Sequence, residues 1–406
     1  MNRGFLTATL LSALLPALLA GSPPLLALES ASTAGERSPI GRGEEQAFRK
    51  AISAMESSRG AYAPELSEQL LSLGLTLQSQ GRHEEAVGLF KRGVHLARIN
   101  NGLYSAEQIP LLQGQISSHI ALGKYLAADE RQQYMYRVQV RSMTSGQART
   151  MALMQQANWH YNAYMLDLGP YAYSRLMNMW DLYRLALNDI IALDGDESAN
   201  LLLPLRGMLQ AQYLISGYNP EDHSHSSPDD LGARQALNRF NAYRAQSFQK
   251  GAAVITAIHD IEQKNAGQDS VAASEALLML GDWQLWHDEK EQAWQYYQQA
   301  MVELAERDDA QIQVDHLLGT PVPLPDVDGV RPLPPAVDPE QGNILLEFGV
   351  NDRGRVVNLE RLDENDTSVG KANRLMRKLR KTRFRPRFEA GQRIETEKLV
   401  RAYVIE

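Results

Sequence analysis

Residues 67–100 read SEQLLSLGLTLQSQGRHEEAVGLFKRGVHLARIN, and the spacing of small and large residues in this stretch decides the fold. Leu70, Leu73 and Leu77 recur at three- and four-residue intervals, the signature of one apolar helix face. Gln80-Gly81 then breaks the pattern as a tight turn. A second helix follows, with Ala86, Phe90 and Gly93 on its inner side. Gly74 and Ala86 lie twelve residues apart, and Gly93 comes seven later. Small residues at those places let two helices approach closely, while Leu70, Leu77 and Phe90 fill the space between them.

The pattern recurs further along. Leu280-Gly281 is followed by Ala293, Tyr297 and Ala300 at the same spacing. Gly123, Tyr125 and Ala128 repeat the turn and the second helix, although Ile116 stands where the first helix should carry a small residue. Residues 151–166, 171–193, 200–218 and 231–264 read as further helical segments, with a polar loop at 219–230. This arrangement resembles the tetratricopeptide repeat, a helix pair with a period of about 34 residues. The expected architecture is mostly α: a helical-repeat array (an α-solenoid) over 44–315. A plain helical bundle is the alternative.

The resemblance implies a concave surface built from positions two, five, nine and twelve of each first helix. In the two clear copies these are Glu68, Leu71, Leu75 and Gln78, and Glu275, Leu278, Asp282 and Leu285, with Trp286 adjoining. They are the candidate partner-binding residues of the array. Trp283, Trp286 and Trp294 cluster at helical spacing and read as core and groove lining.

The chain changes texture after the array. Residues 316–342 hold Pro321, Pro323, Pro325, Pro332, Pro334, Pro335 and Pro339, which forbid a helix and favour an extended, semi-rigid linker. Residues 343–406 then read as a small α+β domain of order ββαβ. Strands over 342–350 and 355–362 flank the Asn351-Asp352-Arg353-Gly354 turn, a helix spans 369–381, and a last strand closes the domain over 397–405. Phe384, Pro386, Gly391 and the hairpin glycine Gly354 make this segment similar to the C-terminal domain of TonB-type energy transducers; Thr382 departs from the pattern, where an aromatic residue is common. The resemblance implies contact with an outer-membrane protein by β-strand addition. The final strand supplies the candidate edge, with Leu399, Arg401 and Tyr403 as its candidate contacts.

The N-terminus carries Arg3, an apolar run over 5–20 broken by Pro16, and small residues at Ala20, Gly21 and Ser22. That reads as a secretory signal peptide over 1–27, followed by a flexible lead-in over 28–43. The expected location is the periplasm; an uncleaved segment would instead anchor the chain in the inner membrane, facing the periplasm. There is no cysteine among 406 residues, which excludes disulfides and thiolate chemistry.

Net charge is −8, divided into +5 from residue 343 onward and −13 before it. Export and the overall acidity argue against nucleic acid. The basic run from Lys371 to Arg387 reads first as a solvated face, and second as attraction to an acidic partner or to the chain's own acidic array. No P-loop, dinucleotide fingerprint, Gly-x-Ser-x-Gly elbow or His-Glu-x-x-His motif occurs. His223 and His225 beside Glu221 and Asp222 are weak metal candidates, and no catalytic residue or cofactor is expected. The residues thus point to a non-catalytic adaptor or scaffold binding protein or peptide partners in the cell envelope, the groove gripping one and the tail another. Alternatives are an anchored energy-transducer-like protein contacting an outer-membrane protein, and a metal-dependent hydrolase or metal-binding protein.

Overall fold

The computed structural model describes residues 39–169, 171–219, 231–265, 271–363 and 369–405. The expected signal peptide over 1–27, most of the expected lead-in, and the His223/His225 metal candidates lie outside the described residues. The chain divides into two compact units, the first ending at Ser142 and the second beginning at Met143.

The first unit contains α1 (Pro39–Arg59), α2 (Leu66–Ser79), α3 (His83–Asn101), α4 (Gln108–Ala121) and α5 (Tyr125–Ser142), each packed on the next. Phe90 is fully buried on α3 and wedges between Gly74 of α2 and Gly114 of α4, where any Cβ would overlap its ring. Gly114 serves the contact of α4 with the preceding pair; at the place of Gly74 within the second pair stands Ile116, which is buried. Gly60, Gly81, Gly102 and Gly123 close the interhelical turns with φ of 87, 73, 102 and 68°, a region open to glycine without steric cost. They recur every 21 residues, so a helix pair repeats at 42 rather than about 34. The added length lies in the second helices: α3 and α5 run 19 and 18 residues against 14 for α2 and α4.

The second unit contains α6 (Gln147–Met165), α7 (Ala172–Asp194), α8 (Leu202–Gly217), α9 (Leu231–Ala245), α10 (Ser247–Asn265), α11 (Ala272–Trp286), α12 (Lys290–Ala305) and α13 (Ala310–Leu318). The packing path runs α6, α7, α8, α10, α11, α12, with α9 set aside against α7. The helical pattern over 231–264 thus divides into two helices at Gln246. Trp283 of α11 is fully buried over Gly251 of α10 and donates its indole N–H to the Phe248 carbonyl at 2.9 Å.

The same unit includes the C-terminal residues. Strands β2 (Ile344–Val350), β3 (Val356–Arg361) and β7 (Thr396–Tyr403) form an antiparallel sheet in the order β3-β2-β7. Helix α14 (Val369–Lys381) covers one face, placing Ala372, Leu375 and Leu379 against Ile344, Leu346, Phe348 and Val350. Between α14 and β7 lie β4 (Arg383–Arg385), β5 (Arg387–Glu389) and β6 (Gln392–Ile394), with β5 and β6 paired as a hairpin.

The proline-rich stretch departs from a free linker. Its first residues continue α13 to Leu318, and Val322–Leu324 forms β1, antiparallel to β4. Proline has no N–H to give a ladder, so β1 is short and carries Pro323 at its centre. Pro321, Leu324 and Pro325 are buried, and Leu333 joins the core of the C-terminal sheet. Apolar burial outweighs the stretch's preference for a solvated extended form.

Candidate functional site

The first-helix face differs between the two clear repeats. On α2, Glu68 is exposed, Leu71 is half-buried and Leu75 is 49% exposed. Gln78 donates from Nε2 to the Gly114 carbonyl at 2.9 Å and to the Ser117 and Ser118 hydroxyls at 2.9 and 2.7 Å, so it joins α2 to α4. Pro110, Gln113 and Ser117 of α4 are exposed. The first unit thus brings Glu68, Leu71 and Leu75 together on an open face.

On α11 only Glu275 is exposed among the equivalent residues. Leu278, Asp282 and Leu285 are buried, and Trp286 is half-buried beside Tyr213, ring centroids 5.2 Å apart. The cover of Asp282 comes from the chain's own C-terminal strands. Arg385 of β4 places Nη1 3.4 Å from Asp282 Oδ2, with both side chains more than nine-tenths buried. Tyr297 of α12 donates its hydroxyl to Asp282 Oδ1 at 2.8 Å. Burial pushes the Asp282 carboxyl up to about 6, against the opposing pull of Arg385 and the Tyr297 hydrogen bond. Burial also raises the Tyr213 and Tyr297 hydroxyls, and it pushes the His287 imidazole down to about 4, so His287 is neutral at pH 7.

Around this pair, Arg383 reaches Asp288 at 2.7 Å, Phe388 of β5 meets the Tyr297 ring at 5.5 Å, and Arg393 of β6 lies over Trp294 at 4.2 Å. With Gly74 aligned on Gly281, four substitutions account for the contact. Leu75, Gly81, Val87 and Phe90 of the first copy become Asp282, Asp288, Trp294 and Tyr297 of the last. Asp288 even keeps the left-handed turn conformation of Gly81, with φ of 70 against 73°. An acid set among Leu278, Leu280 and Leu285 in the apolar half of α11 is the sequence signal for this site.

The cover continues along residues 326–331. Tyr161 of α6 donates its hydroxyl to the Gly329 carbonyl at 2.8 Å, and Gln210 of α8 donates from Nε2 to the Asp328 carbonyl at 3.0 Å. Gly207 faces Tyr183 of the preceding helix as Gly114 faces Phe90. With those glycines aligned, Gln210 takes the place that Ser117 holds on α4. The segment turns through a Val330 N–H to Val327 carbonyl bond of 3.1 Å, with Gly329 at φ 78°. Arg331 binds Asp326 and Asp328 at 3.0 and 3.1 Å. Neither Tyr161 nor Gln210 stood out in the sequence.

In the last strand, Leu399 and Arg401 are half-buried and Tyr403 is buried in the sheet core. Strand β7 is a sheet edge, yet Val337 donates its N–H to the Ala402 carbonyl at 2.9 Å and covers one end of it. Backbone groups alternate sides along an antiparallel strand, so Val400 shares the outward face of Ala402. Strand β3 forms the other edge and is broken by a register shift, with Asn358 at φ 51°.

The exposed side of α14 presents Lys371, Arg374, Arg377, Lys378, Arg380 and Lys381. Arg383 and Arg385, by contrast, bind the acids of α11 and its following turn. Among the described residues no group of three or more His, Asp and Glu side chains could hold a metal, and no helix is long and apolar enough to cross a membrane.

No protein-family model and no curated protein matches the chain. Solved structures do. Two crystal structures of a Podosopora anserina kinesin light chain with nearly identical TPR-like repeats are 13% and 12% identical. They cover 62% and 60% of this chain and 97% of their own, with TM-scores of 0.38 each. BtubC from P. vanneervenii is 12% identical over 67% of this chain and 92% of its own, with a TM-score of 0.37. At those scores the likeness carries no functional weight. The repeat assignment stands on the chain's own helix pairs: a tetratricopeptide-like helical array followed by a small α+β region.

Proposed function

We propose that this chain is a non-catalytic protein-binding adaptor whose partner docks on the open first-helix face of the first unit. The observation that carries the reading is the contrast between the two clear repeats. Leu75 offers an exposed apolar contact beside Leu71 and Glu68, while its counterpart Asp282 is buried under the C-terminal strands. Protein interfaces set an apolar centre within a polar rim, the arrangement that Leu75 and Leu71 make with Glu68. The adaptor works in the periplasm, a reading supported by the apolar run over 5–20. The TonB-like features of the tail favour an outer-membrane protein as a second partner, reached at the Val400 stretch of β7.

A photo-crosslinking amino acid placed in turn at Glu68, Leu71 and Leu75 tests the reading in living cells. Discrete adducts to one partner are expected from Leu75 and Leu71, and none from the buried Leu278. Three silent positions on α2 would overturn it. Osmotic-shock fractionation tests the location, with the mature chain expected in the periplasmic fraction and shortened at its N-terminus.

A further inference from the structure

A helix face in the second unit binds peptide backbone, and the peptide it binds is its own. Tyr161 and Gln210 lie on separate helices, α6 and α8, and each gives its donor to a main-chain carbonyl of the same turn. Donors aimed at backbone carbonyls read the shape of a peptide rather than its side chains. Specificity comes from Gly329. Its φ of 78° favours glycine, and a Cβ there would overlap both the Gln210 amide and the Tyr161 hydroxyl. Asp328 leaves its carboxylate in solvent, paired with the exposed Arg331. Two side-chain donors hold a turn whose Asp326, Asp328, Gly329 and Arg331 are exposed, a lighter contact than the buried Asp282–Arg385 pair and one that can exchange.

We propose that this α6–α8 face is a second peptide-binding site, selective for a turn with glycine in the left-handed conformation, and that residues 326–331 fill it until a partner presenting the same turn displaces them. The inference rests on the adaptor reading and adds a partner class to it: a segment carrying a glycine at the left-handed position of a tight turn. Tethering gives the resident segment an effective concentration on the order of millimolar. A free peptide of equal intrinsic affinity therefore binds the wild-type chain weakly, and a partner must exceed that tether by multivalency or additional contacts.

The test uses the full chain and a fluorescein-labelled peptide with the sequence of residues 319–333. In the Gly329→Val chain the resident turn cannot seat. Fluorescence anisotropy is expected to show this chain binding the peptide at least about tenfold tighter than wild type. The gain should vanish when Tyr161→Phe and Gln210→Ala are added, and when the peptide carries alanine in place of its glycine. Hydrogen exchange at the amides of 326–331 should accelerate in Gly329→Val, and also in the Tyr161→Phe, Gln210→Ala chain that keeps the glycine. Equal weak binding by Gly329→Val and wild type would overturn the proposal, since a vacated face would then take no peptide. Unchanged exchange in both variants would overturn it too, because the two donors would not be holding the turn. Neither result bears on crosslinks from Leu75, so failure here is distinguishable from failure of the adaptor reading.

Discussion

Asp282 is a carboxylate placed where an ordinary repeat offers a groove side chain. Its folded-state pKa of about 6 lies above the ordinary 3.8, with burial as the chief cause. The stability tied to its protonated form is fully present below about pH 4 and is lost as pH rises through 6. A rise of roughly two units corresponds to about 3 kcal/mol. Asp282→Asn cannot titrate but keeps an oxygen for the Tyr297 hydroxyl. Urea unfolding of both chains at pH 4 and pH 7 isolates the effect, because all other groups titrate in both. Wild type is expected to lose about 2.4 kcal/mol relative to the variant between those pH values, because at pH 4 the unfolded carboxyl is already partly ionised; parallel pH profiles would show that Asp282 ionises normally in the folded chain. The sequence marks Asp282 only as a groove position. Its partner Arg385 is about a hundred residues away, and no local pattern joins them.

At the scale of elements, the helix pairs close around large residues inserted against glycines. Phe90 does this for α2 and α4, and Tyr297 repeats it against Gly281. Phe90→Ala would leave a void between three helices that cannot easily collapse, at a cost of about 3–5 kcal/mol. A lower urea midpoint for the first unit, with no change in its helical circular dichroism before the transition, is the expected outcome. These pairings were legible because apolar periodicity and small residues leave a mark in every window of the chain. Helix α14 was legible for the same reason, and its observed limits, Val369–Lys381, coincide with the expected ones. Strand β1 was not legible. Three prolines in five residues read as an open chain, and only the partner strand β4 makes Val322–Leu324 a strand.

At the scale of the second unit, the C-terminal strands act as part of the array. Ending the chain after Gln341 would remove Arg385, Phe388 and Arg393 from α11 and α12. It would also take away the cover of Asp282, so the cost lies in the lost packing of β4–β6 on these helices rather than in a stranded buried charge. Calorimetry of the truncated chain should show the remaining helices melting at lower temperature than in the full chain. Unchanged helix melting would mean that the tail is a separate module. The sequence reading divided the chain at the proline-rich stretch because composition changes there. Composition reports the solvent preference of a segment and says little about which distant surface will cover it. The basic run over 371–387 shows the same limit. Its helical part stays solvated, as its amphipathic spacing suggests, while Arg383 and Arg385 become ion-pair partners inside the fold.

The even spacing of Gly60, Gly81, Gly102 and Gly123 bears on how such a chain can grow. Each glycine marks a joint, and successive joints are separated by one helix. A tandem duplication spanning two joints inserts a complete pair, and every later helix keeps its orientation. A duplication spanning one joint inserts a single helix. It reverses the direction of all that follows and sets Phe90 against a helix without the matching gap. The joints therefore act as a reading frame of two. Gene rearrangements in multiples of 42 residues lengthen the stack without a new core, and those of 21 residues scramble it.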